Sequence, residues 1–136
     1  MATVRQQINI AVSTRVVWDA LTTADGLASW WVDAARVDTR DGGRIVIQTE
    51  DAEGAPIEEI GMFQQLRPTR KIEIKWDSNS PGPLRKTRLE FVLARDGDET
   101  RVAVIHSGVE ETEDENASLV KEWRQALLAL RSSLES

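Results

Sequence analysis

The sequence contains no cysteine and a single histidine, His106. Without cysteine there are no disulfides, thiolate metal sites or cysteine nucleophiles, and a reducing cytoplasm is the expected compartment. One histidine cannot build the common zinc sets. Any Ser-His-acid arrangement must run through His106. Its neighbour Ser107 points to the opposite face of a strand, and no nucleophile elbow of the G-x-S-x-G type occurs. Gly-rich phosphate cradles of the P-loop and dinucleotide types are also missing. Positive charge is in deficit: 17 Lys and Arg face 23 Asp and Glu, for a net charge of −6. Nucleic acid is therefore not an expected partner, since affinity there comes mainly from Lys and Arg on phosphates. No apolar run approaches the ~18 residues of a membrane span. The opening MATVRQQINIAV lacks the continuous apolar stretch of a signal peptide. Aromatics are few, five Trp and two Phe, yet two of them stand side by side in GLASWWVD (26–33).

The 136 residues are the size of one ordinary domain. A chain of this length buries roughly 68% of its unfolded surface, enough for a core without covalent staples. No repeat, low-complexity stretch or linker divides it, so residues 1–136 are expected to form a single domain.

Hydrophobic periodicity supplies the elements. VRQQINIAV (4–12) alternates, with Val4, Ile8, Ile10 and Val12 on one face, and predicts a strand with one wet side. Ser13 fits an N-cap for TRVVWDALT, whose stripe is Val16, Val17, Ala20 and Leu21. Trp18 falls off that stripe and is expected to be partly exposed. A second short helix is expected over roughly 24–31. From residue 33 the period changes to two, predicting strands at 34–39, 43–50, 57–66, 70–77, 85–94 and 99–107. The breaks carry turn chemistry, such as DGG at 41–43, RPTR at 67–70, SNSPGP at 78–83 and Asp96-Gly97. Short strands joined by brief turns predict a mostly antiparallel meander. The acidic EETEDEN (110–116) then flanks a long amphipathic helix, where it complements the helix dipole. Leu119, Trp123, Leu127, Leu130 and Leu134 share one face of that helix, with Ala126 beside them. The order predicts an α+β fold: a curved antiparallel sheet, two short helices after the first strand, and a long C-terminal helix in the concave face.

This order, with STRVVWDALTTADGLASWW, DGGRIVI (41–47), GMFQQLRPTRKIEIKW (61–76), TRVAVIHSGV (100–109) and EWRQALLALRSSL (122–134), resembles the activators of the heat-shock-protein-90 ATPase. These belong to the START-like (SRPBCC) superfamily with its helix-grip fold. In that pattern His106–Gly108 and Trp123 recur, while Val109 stands where an aromatic is more usual. The resemblance implies a cavity between sheet and long helix. Nothing in the sequence corresponds to the extra N-terminal domain of the eukaryotic co-chaperone, so the chain resembles the stand-alone bacterial type.

The expected cavity lining is Trp30, Trp31, Ile45, Ile47, Met62, Phe63, Ile74, Trp76, Leu89, Phe91, Val104, His106, Trp123 and Leu127. His106 shares parity with Val102 and Val104 and should face inward. It serves either as a structural histidine bonded to backbone or to a nearby Trp, or as a polar anchor in an apolar pocket. Neighbouring helical side chains sit about 100° apart, so one stripe holds only one of Trp30 and Trp31 squarely. Either one is in the core and the other at the cavity mouth, where indole suits both water and apolar walls, or both simply cap the core. Three functions remain open. The first is a non-catalytic domain holding a small hydrophobic molecule. The second is a co-chaperone-like module acting on the heat-shock-protein-90 ATPase. The third is an enzyme of undefined chemistry. No catalytic residue, metal or cofactor is expected. The partners are an apolar small molecule or a chaperone, with no membrane, and the chain is expected to be a monomer, with a weak homodimer as the alternative.

Overall fold

The computed structural model describes residues 2–51, 53–109 and 113–135, the side chains of 113–116 excepted. The chain runs β1 (Ala2–Ile10), α1 (Thr14–Thr22), α2 (Ala24–Ala28), β2 (Ala34–Val37), β3 (Arg44–Glu50), β4 (Pro56–Arg67), β5 (Lys71–Trp76), β6 (Arg88–Asp96), β7 (Glu99–Val109) and α3 (Glu113–Glu135). Seven strands form one sheet in the order β1-β7-β6-β5-β4-β3-β2. Strands β2 to β7 are an antiparallel meander, and β1 adds antiparallel to β7.

Alternation sets which face is buried. On β5, Ile72, Ile74 and Trp76 are buried. Their cross-strand partners on β6 include Phe91 and Leu89, also buried. On the other face Lys71 reaches Glu73 at 3.7 Å and Glu90 at 3.8 Å, and Arg88 reaches Glu73 at 3.6 Å. The sheet thus has one apolar face and one charged, wetted face.

The helices cover the apolar face. Ser13 caps α1 as expected, its Oγ accepting from Val16 N–H at 3.3 Å. The buried arc of α1 is wider than the four-residue stripe and rotated from it. Val17, Trp18, Ala20, Leu21 and Thr22 are buried, an arc of about 200°. Trp18 is 7% exposed rather than partly exposed, and Val16 is 42% exposed rather than core. Helix α1 contacts β6, α2 and α3 together, so both of its flanks are covered. Helix α2 ends at Ala28, short of the expected residue 31. Both Trp31 N–H and Val32 N–H converge on Leu27 O, and Asp33 N–H already pairs with Gln48 O at 2.9 Å. The chain must leave the helix there to enter the sheet.

Helix α3 starts at Glu113, four residues before the expected apolar stretch, and buries Trp123, Leu127 and Leu130. Residues 110–112 of the acidic run lie outside the described residues. Strand β6 begins at Arg88, later than the expected 85, because 78–87 is a loop tied to β4.

Candidate functional site

Five of the seven aromatic residues form one cluster between sheet and helices. Trp31 is its hub. Its ring stacks on Trp30 with centroids 5.6 Å apart and planes at 20°. It meets Trp76 edge-on at 6.5 Å, Phe91 at 6.3 Å, and Trp123 at 5.6 Å. Trp30 and Trp123 also pack edge-on against Phe91.

The two adjacent tryptophans have unequal surroundings. Trp30 is buried, and its Nε1–H donates to Ala20 O at 3.0 Å. Ala20 lies in the last turn of α1, where carbonyls lack intrahelical partners, so the indole satisfies one of them. Trp31 is only partly buried. The sequence left open which member is anchored; the hydrogen bond identifies Trp30.

Trp76 is 1% exposed, yet its Nε1–H has no acceptor among the described residues. A buried donor left this way costs about 1–3 kcal/mol. The ring folds over Gly61, its cross-strand partner. A Cβ at residue 61 would lie 2.7 Å from Trp76 Cε3, so only glycine lets the indole lie against the backbone.

His106 is part of a closed relay. Trp123 Nε1–H donates to His106 Nδ1 at 3.1 Å. By hydrogen-bond logic the ring proton then sits on Nε2, which donates to Thr87 Oγ1 at 2.9 Å. Thr87 in turn donates to Leu84 O at 2.5 Å. Burial lowers the imidazole pKa to about 4, and its remaining lone pair is already committed to Trp123. Neither ring nitrogen is free to anchor a ligand or to exchange a proton near neutrality.

Ile45, Ile47, Phe63, Ile74, Leu89, Phe91, Val104 and Leu127 are all buried in the core. Met62 is not among them. It is 37% exposed, paired between Arg44 and Lys75 on the outer face. Successive residues of a strand face opposite ways, so Met62 and Phe63 cannot both point inward.

Glu59 was missed. The residue is 2% exposed and sits on the same parity as Gly61 and Phe63. Ser80 Oγ–H donates to Oε1 at 2.6 Å and Leu84 N–H donates to Oε2 at 2.8 Å. Ser80 Oγ itself accepts from Ile60 N–H at 3.1 Å. Gly82 lies so close that a Cβ there would meet the carboxyl group at 2.4 Å. Glu59 therefore pins the 78–87 loop at one end, while Thr87 and His106 hold its other end. The available signal was a charged residue at an inward position of the IEEIGMF alternation.

An antiparallel sheet curved about a long C-terminal helix, with two short helices after the first strand, is the helix-grip arrangement of START-like proteins. The chain belongs to the family of activator of Hsp90 ATPase homolog 1-like proteins (AHSA1), whose family model matches residues 11–135. Among solved structures it is similar to the Aha1 dimer of Colwellia psychrerythraea, determined in solution. That pair has 27% identity and a TM-score of 0.82 over 99% of this chain and 97% of the other. It also resembles the AHSA1-like protein of Aeromonas hydrophila, at 18% identity and TM-score 0.77 over 96% and 92% of the two chains. A protein of Chromobacterium violaceum matches at 20% identity and TM-score 0.79 over 100% and 99%. These last two likenesses concern the fold alone. No curated protein sequence is significantly similar.

Proposed function

We propose that residues 1–136 act as one non-catalytic binding domain that admits a small apolar molecule carrying a single hydrogen-bond acceptor. The observation that carries this reading is the buried Nε1–H of Trp76, without an acceptor among the described residues, beside the partly exposed Trp31. An acceptor on the ligand would recover the 1–3 kcal/mol or so that the bare donor costs. Trp31 is the gate: it alone of the clustered tryptophans is partly exposed, and Trp76 and Trp123 lie behind it. Trp30, held by Ala20, is the fixed post against which it stacks. A catalytic reading finds less support, because both nitrogens of the only histidine are engaged within the protein.

The test is competition for the neutral dye Nile red by a medium-chain methyl ketone and by the alkane of equal length. The ketone should bind about tenfold better, the worth of one buried hydrogen bond. Trp76→Phe should abolish that preference. Equal binding of ketone and alkane to the native protein would refute the reading.

A protein-partner reading has one observation in its favour. On α3, Val120 and Leu128 are each 39% exposed, eight residues apart on the same stripe as Arg124. Leu128, Arg124 and Arg131 line a groove of about 400 Å³ with Gln6, Gln7 and Ile8 of β1. Stimulation of a heat-shock-protein-90 ATPase that is lost in Leu128→Glu would support it.

A further inference from the structure

The chain is acidic, yet one cleft is lined, among the described residues, by four cations and no carboxylate. Arg67, Arg70, Lys71 and Arg95 surround a space of about 520 Å³ where the β4–β5 turn, β6 and the start of α1 meet. The cleft lies beyond Phe91 along β6, separate from the aromatic cluster. Its frame is fixed by backbone hydrogen bonds. Arg70 N–H donates to Arg67 O at 2.9 Å, closing the turn, and Leu93 N–H donates to Arg70 O at 2.7 Å, tying that turn to β6.

The cations are unequally occupied. Lys71 is shared between Glu73 and Glu90. Among the described residues Arg67 has only the side-chain oxygen of Gln65, in the amide orientation that satisfies both groups. Arg70 and Arg95 are exposed and have no side-chain partner among the described residues. Thr14, the first residue of α1, also lines the cleft. Its N–H and that of Arg15 find no acceptor among the described residues, and they carry the positive end of the helix dipole. Arg67, Arg70 and Arg95 gather without a carboxylate partner among the described residues and repel one another, although the chain carries 23 acidic residues. Guanidinium forks match the paired oxygens of phosphate. Val92, Leu93 and Ala94 give the cleft an apolar wall for the uncharged part of such a ligand.

We propose that this cleft binds a soluble phosphate ester or diphosphate, with Arg70 and Arg95 as the principal contacts and Arg67 and the first turn of α1 in support. One carboxylate would leave most of this charge unmatched; a diphosphate supplies at least two negative charges within reach of separate forks.

The test uses the full chain and inorganic pyrophosphate. Backbone amide NMR shifts are followed at constant ionic strength, with NaCl making up the balance. The expected result is a saturable response confined to Thr14, residues 67–71 and 92–95. Arg70→Gln and Arg95→Gln should each weaken it about tenfold or more, the worth of a charge-assisted hydrogen bond. Both residues are exposed and have no side-chain partner among the described residues, so the variants should keep the native spectrum elsewhere. Shifts that fail to saturate, that spread equally to Arg36, Arg40 and Arg44, or that persist unchanged in both variants would overturn the proposal.

Discussion

His106 makes stability depend on pH in a way that can be isolated, because it is the only histidine in the chain. Its native pKa is lowered to about 4, against an ordinary 6.5. The unfolded chain therefore takes up a proton at higher pH than the native protein does. The stabilising difference is fully present above pH 6.5 and is lost as pH falls through the window from 6.5 to 4. Complete titration across that gap corresponds to about 3 kcal/mol, and at pH 5 about 2 kcal/mol should already be gone. Carboxylates begin to titrate in the same range, so the native protein must be compared with His106→Gln. Glutamine offers an acceptor and a donor to Trp123 and Thr87 but does not ionise. Urea unfolding of both proteins at pH 7.5 and pH 5 gives the double difference, with the native protein expected to lose about 2 kcal/mol more than the variant. Proton NMR of the single imidazole supplies a direct check. Equal pH dependence of the two proteins, or an imidazole titrating near 6.5, would refute the buried relay.

Three further outcomes follow from the packing. Trp30→Ala should lower stability by about 3–5 kcal/mol and also strand the Ala20 carbonyl, while Trp31→Ala, already partly exposed, should lose about half as much. Equal losses in chemical denaturation would contradict their separate roles. Glu59→Gln should remove about 2–3 kcal/mol by leaving Ser80 or Leu84 without its acceptor, and hydrogen exchange of the Leu84 amide should accelerate. Gly61→Ala should be destabilising by about 1–3 kcal/mol and should alter the near-UV circular dichroism of the indoles, because the new methyl group displaces the Trp76 ring.

The sheet was legible because its strands obey a period of two with one apolar face. KIEIKW reads directly onto the buried Ile72, Ile74 and Trp76. The C-terminal helix was legible for the same kind of reason, its stripe passing through Trp123, Leu127 and Leu130. Periodicity fails where an element has neighbours on more than one side. Helix α1 touches the sheet and two helices, which buries Trp18 and turns Val16 outward. Periodicity also places a residue on a face without saying what it bonds. Trp30 and Trp31 are adjacent and chemically identical, and only the position of the Ala20 carbonyl separates them. Including Met62 beside Phe63 overlooked strand alternation. Glu59 was passed over because a charge within a strand reads as solvent-facing, although its parity with Phe63 pointed inward.

The central claim is that the Trp76 indole N–H receives a ligand acceptor. The most direct measurement is the indole region of a ¹⁵N-correlated NMR spectrum during titration with 2-nonanone. Five indole signals are expected, one per tryptophan, and Trp76→Phe assigns the relevant one. The expected result is a saturable downfield shift of the Trp76 Nε1–H, with Trp31 changing over the same concentration range and the Trp30 signal, held by Ala20, nearly unmoved. A Trp76 signal that stays in place while the ketone saturates elsewhere, or an absence of any saturable change, would contradict the account.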